Sequence, residues 1–137
     1  MSSGTFGAID IAATGVTADR RWLDAISDNI ANVSTVRRTS EDAFQSRYIE
    51  VQANEYGSGD GGVKVVAMRE SGNTEGILTY EPDNPLADEA GYVKRPDVDL
   101  GEQMSSMIMA QRGYQANLAV VDRAKEAYQA AISIGRG

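Results

Sequence analysis

The stretch IDIAATGVTADRRWLDAISDNIANV, residues 9–33, decides the fold. Ile9, Val16, Leu23 and Ile30 recur every seven residues, with Ala12, Asp19, Ile26 and Val33 between them. This is the a/d spacing of a coiled-coil seam with one polar interruption, at Asp19. The charges Asp10, Arg20, Arg21, Asp24 and Asp28 occupy other positions, so the segment reads as a long amphipathic helix.

The other end of the chain repeats the pattern. Leu100, Met107, Tyr114, Val121 and Tyr128 form one series, and Met104, Gln111, Leu118, Lys125 and Ile132 the other. Two long terminal helices, over 1–36 and 100–137, are therefore expected to pair as an antiparallel coiled coil. The expected pairing seam is Ile9, Val16, Leu23, Ile26, Ile30 and Val33 against Met104, Met107, Tyr114, Leu118, Val121 and Tyr128.

A second uncharged stripe lies beside each seam. On the first helix it includes Gly15, Trp22, Asn29 and Asn32, and on the second Ala110, Gly113, Asn117 and Val120. Asparagine is a mediocre helix former, because its amide competes for nearby backbone groups. A stripe of Gly, Ala and Asn suits close approach by another helix, where the amides could satisfy polar groups inside the contact. Trp22, Asn29, Asn32, Ala110, Gly113, Asn117 and Val120 are accordingly expected to pack against neighbouring subunits.

Between the helices the texture changes. YIEVQA (48–53) and VKVVAM (63–68) have the β-branched character of short strands joined by a Gly-rich loop, and GILTY (76–80) could add a third. A small β-hairpin segment is expected over 37–80. Residues 81–99 then hold all the prolines, Pro82, Pro85 and Pro96, together with Leu86 and Tyr92. Proline fixes φ and removes a donor, so an extended, irregular arm is expected there, lying across a neighbouring subunit. The fold class is thus mainly α with a small β part.

The totals narrow the function. The chain has 137 residues, 13 Lys and Arg against 20 Asp and Glu, and a net charge of −7. That argues against a nucleic-acid partner, which would call for a basic surface. With no Cys and no His, the commonest nucleophile, general base and metal ligand are missing together. No enzyme, no cofactor and no metal site are expected. Gly57, Gly59 and Gly62 spell G-x-G-x-x-G, but a strand-like run follows where a dinucleotide site needs a helix. Asn32-Val33-Ser34 is formally a glycosylation sequon, but it sits in an apolar helical periodicity. No basic residue precedes Arg20, so a cleaved signal peptide is not expected, nor is a membrane-spanning run.

Two segments carry a family resemblance. AIDIAATGVTADRRWLDAISDNIANVST (8–35) resembles the N-terminal signature of flagellar rod and hook axial proteins, close to N-N-I-A-N-V-N-T. Here Asp28 and Ser34 stand in place of two of its asparagines. EPDNPLADEAGYVKRPDVDLGEQMSSMIMAQRGYQANLAVV (81–121) is similar to the C-terminal half of a proximal-rod subunit, with the P-x-x-P-L-A-D…G-Y-V-K-x-P-x-V arm and the R-x-Y-Q-A-N helix. The resemblance implies a structural subunit of the bacterial flagellar basal-body rod, which spans the periplasm. It further implies terminal helices in an inner tube, and partners that are other copies and other rod proteins. Export through the flagellar type III apparatus, without a cleaved signal, is implied as well. A helical adaptor or export chaperone that never polymerises is the competing expectation.

Overall fold

The computed structural model describes residues 3–55 and 61–136. Its elements are helix α1 (Ser3–Ala31), strands β1 (Arg47–Ala53), β2 (Val63–Glu70), β3 (Ile77–Tyr80) and β4 (Tyr92–Arg95), and helix α2 (Leu100–Arg136). The chain is mainly helical with two small antiparallel strand pairs, β1 with β2 and β3 with β4. Gly57 and Gly59 of the glycine motif lie outside the described residues.

Both helix ends near the strands are set by short polar side chains. α1 stops at Ala31 rather than continuing to residue 36. The Asn32 amide donates back to the Asp28 carbonyl at 2.8 Å, and the Thr35 hydroxyl donates to Asn32 Oδ1 at 3.1 Å. The Asp28 carbonyl thus accepts both the Asn32 main-chain N–H, at 3.1 Å, and its side-chain amide, which turns in on the helix end. α2 begins at an N-cap, with Asp99 Oδ1 accepting the Glu102 N–H at 2.9 Å.

The residues divide into two compact units, each assembled from separate stretches of sequence. One comprises 1–23, 50–67 and 108–137, and the other 24–49 and 68–107. In the first, the buried apolar residues among those described are all small: Ala12, Ala18 and Ala110. There α1 and α2 run past one another in opposite directions, since Gly15 faces Asn117 and Asp19 faces Gly113. Small side chains let the two backbones approach closely.

The second unit buries Ala25, Ile26, Asn29, Ala43 and Val93. Val93 lies in β4, which pairs with β3 in the register Ile77↔Arg95, Leu78↔Lys94, Thr79↔Val93 and Tyr80↔Tyr92. On the other edge of β4, Arg37 and Lys94 exchange two backbone hydrogen bonds at 2.9 Å each. The stretch 81–99, expected to be irregular throughout, therefore contains a paired strand. The remaining GILTY residues do form a strand, but it pairs forward with β4.

The loop between β3 and β4 is turned back on itself rather than extended. Asp88 Oδ1 accepts the Tyr92 and Ala90 N–H groups at 2.9 and 3.0 Å, and Oδ2 accepts the Thr39 hydroxyl at 3.1 Å. Asn84 Oδ1 accepts the Leu86 N–H at 2.9 Å. Short acceptors capture the donors that have no ladder partner, as Asx turns do. At Gly91 φ is +89°, and a Cβ there would stand 2.7 Å from the Tyr80 ring, so the loop closes only over glycine. Pro96 is buried, while Pro82 and Pro85 are exposed.

Candidate assembly surface

The asparagine stripe is used inside the chain. Asn29 Nδ2 donates to the Arg47 carbonyl at 2.9 Å, while its Oδ1 accepts the Arg47 N–H at 2.7 Å. One side-chain amide thereby stands in for a strand partner at the first residue of β1. Nδ2 also donates to Gln103 Oε1 at 3.0 Å. The Arg47 guanidinium is held by Asp28 at 2.8 Å. Asn29 is buried, and every one of these partners lies in the same unit.

The other stripe residues behave alike. Ala110 is 0% exposed, Asn117 Nδ2 donates to Asp19 Oδ2 at 2.9 Å, and Gly113 abuts the Asp19 carboxylate. Asn32 ends its own helix. Trp22 is half-buried, and Val120 alone of the set is exposed. Asn29, Ala110, Gly113 and Asn117 thus have packing partners within their own unit, and Asn32 within its own helix end.

The expected pairing seam divides. Ile26 is buried, and Ile9, Val16, Leu23, Ile30, Val33, Met107, Tyr114 and Val121 are half-buried. Met104, Leu118 and Tyr128 face outward instead, at 54%, 36% and 42% exposure. For Met104 and Leu118 the physical reason lies in what shares their face. The series of Met104 and Leu118 also contains Gln111 and Lys125, whose burial would strand a charge. The series Gln103, Ala110, Asn117 and Ala124 carries no charge and no bulk, so it goes inside.

What remains outside is unusually apolar. Met104, Ile108, Met109, Leu118, Ile132 and Ile134 of α2 are all exposed, Ile134 at 81%. Tyr48, Val51, Val66 and Met68 are exposed on the β1–β2 ribbon, and Ile77, Leu78, Tyr80 and Tyr92 on β3–β4. Scattered apolar residues on a surface are ordinary, but an apolar row along one helix, here interrupted by Gln111 and Lys125, can mark an interaction face.

Two carboxyls of the β3–β4 loop are held below the usual carboxylate range. For Glu81 the main cause is the Asn84 amide at 2.9 Å, followed by Arg95, whose Nε and guanidinium nitrogen donate at 2.9 and 2.5 Å. For Asp88 it is the Tyr92 N–H. These are bracing interactions. Among the described residues no cluster of carboxylates could hold a metal ion, and no helix is long and apolar enough to cross a membrane.

Comparison with known proteins places this surface in context. Residues 9–37 match the family described as flagella basal body rod protein, and residues 89–134 the C-terminal family of the flagellar basal body rod FlgEFG proteins. The flagellar basal-body rod protein FlgC of Escherichia coli O6:H1 is 36% identical, over 93% of this chain and 95% of the relative. That of Borreliella burgdorferi is 36% identical over 98% of this chain and 99% of the relative. That of Salmonella typhimurium is 35% identical over 93% and 95%. Identity at this level along nearly the full length of both chains, with most of each terminal helix inside a matched segment, establishes that the chain belongs to the FlgC family of flagellar basal-body rod proteins.

Proposed function

We propose that the chain is a mechanical part: a subunit that polymerises with itself and other rod proteins into the helical drive shaft of the flagellum. The observation that carries this reading, beyond family membership, is the outward apolar row that α2 carries in the first unit, Ile108, Leu118 and Ile132. Such a stripe is costly to leave in water, and burial of each side chain contributes about 1.5–3 kcal/mol. A heterologous contact made through it need not close on itself, and so builds a rod.

In this reading α1 and α2 pair as an antiparallel coiled coil that forms the inner part of the shaft. The strand pairs and the braced loop lie outside it. Exposed Pro82 and Pro85 offer a rigid edge to a neighbouring subunit. Torque passes through stacked helices, and the subunit reaches its place by flagellar type III export. The domain scheme follows: terminal helices for the tube, and 37–99 for the outer layer.

The test is retention in the purified structure. Hook–basal bodies are stripped with detergent and high salt, and the rod fraction is quantified by mass spectrometry. A built-in subunit stays at a level comparable with other rod proteins. A chain that washes away, or occurs only in the cytoplasm, is instead a soluble adaptor or export chaperone.

A further inference from the structure

The helix pair in the first unit contains a reciprocal polar lock. Asp19 points at Gly113, and a Cβ on Gly113 would lie 3.0 Å from Asp19 Oδ2. Asn117 points at Gly15, where a Cβ would lie 2.6 Å from Asn117 Nδ2. The two polar side chains join across the seam through the 2.9 Å bond from Asn117 Nδ2 to Asp19 Oδ2. Each helix thus supplies one polar knob and, four residues before it, one glycine hole.

We infer that Asp19, Asn117, Gly15 and Gly113 together fix the register in which the two helices pair. Alanine-rich faces are poor at specifying register, because small side chains of similar size slide past one another at little cost. A polar pair in a helical seam, half-buried as Asp19 and Asn117 are, favours one alignment, since slipped arrangements either separate the partners or leave them no space. Counting along the helices bears this out. Slipped one turn in one direction, Asp19 faces Met109 and Asn117 faces Ile11. Slipped the other way, Asp19 and Asn117 collide with no hole for either, and Gly15 faces Val121. Only the observed register gives both knobs a hole and each other.

The absence of cysteine allows a direct test in the full-length chain. Spin labels are attached through Arg20→Cys and Ala119→Cys, both at exposed positions, and the interlabel distance is measured by pulsed electron resonance. The otherwise unaltered chain gives one narrow distance. Adding Asn117→Asp, which sets two carboxylates against each other at almost unchanged volume, produces a second population displaced by about one helical turn, ~5.4 Å along the axis. Adding Asp19→Asn to that variant restores the bond in the opposite sense and returns the single distance. An unchanged distribution in the Asn117→Asp variant overturns the inference. So does a failure of Asp19→Asn to restore the original distance, whether the single variant slips or unfolds.

Discussion

The side-chain amide of Asn29 forms a two-bond ring with the main chain of Arg47, donating at 2.9 Å and accepting at 2.7 Å. A helix residue thereby pairs the first residue of a strand as another strand would. The geometry requires both a donor and an acceptor on one short side chain, which restricts the position to asparagine. Asn29→Ala leaves the Arg47 N–H and C=O without this partner and is expected to destabilise the chain by about 1–3 kcal/mol. Asn29→Asp keeps the acceptor but turns carboxylate oxygens toward the Arg47 carbonyl, and should cost at least as much. Urea denaturation of the purified chain measures both, and a loss under ~0.5 kcal/mol for Asn29→Ala would remove the clamp from the folding argument.

Gly113 makes a sharper demand on size. Its missing Cβ is the space that the Asp19 carboxylate occupies, at 3.0–3.2 Å from where that carbon would sit. Gly113→Ala removes a helix-weakening glycine, a change worth about 1 kcal/mol in favour of the helix on an open surface. Here crowding of the carboxylate opposes that gain, and overpacking typically costs about 1–3 kcal/mol. The expected result is a lower melting temperature for Gly113→Ala, whereas Gly7→Ala, with no atom within 4 Å of the added carbon, should not lower it. Equal behaviour of the two variants would contradict the packing.

The outward face of α2 should respond in the opposite manner. Met104→Glu and Ile108→Glu place charges where the isolated subunit has solvent, at 54% and 50% exposure. Stability of the purified chain is expected to change within about 0.5 kcal/mol. Incorporation into the rod, read as motility and as subunit content of purified basal bodies, should be lost. Normal motility with both substitutions together would place the subunit contact elsewhere.

The β3–β4 loop should loosen only in acid. Glu81 and Asp88 both have carboxyls held below their ordinary values, by Asn84 and Arg95 and by the Tyr92 N–H respectively. A carboxyl depressed in the folded state contributes stability above its unfolded value, and that contribution is lost as pH falls through the folded one. The window therefore lies below the ordinary carboxylate values of about 4. Exchange of the Tyr92 and Ala90 amides, taken relative to the intrinsic rate at each pH, should stay slow through neutrality and accelerate only within that window. Asp88→Asn should remove most of this pH dependence, and acceleration already near pH 6 would assign the bracing to other groups.

Much of this architecture was legible because long helices advertise themselves. The seven-residue recurrence from Ile9 to Val33 and from Leu100 to Tyr128 locates α1 and α2 to within a few residues. Which stripe turns inward was harder, since both are uncharged over most of their length. Lys125 and Gln111 in the series of Met104 and Leu118 held the answer, because a lysine among helix-pairing positions would be buried without a partner. β4 was hidden for another reason. Its residues Tyr92–Arg95 sit among prolines and acids, and the bonds that brace them come from Asp88, Glu81 and the distant Arg37. Local propensity carries no trace of partners that far along the chain.

The most direct test of the division between an inner and an outer face uses two single cysteines in an otherwise cysteine-free chain. Ile108→Cys lies on the outward stripe and Ala110→Cys in the buried seam, two residues apart on one helix. Each variant is exposed to a thiol-reactive maleimide as purified full-length chain and again in isolated basal bodies. The expected result is fast labelling of Ile108→Cys in the free chain, strong protection of it in the rod, and slow labelling of Ala110→Cys in both. Rapid labelling of Ala110→Cys in the free chain with protection only in the rod, or unchanged reactivity of Ile108→Cys after assembly, would contradict it.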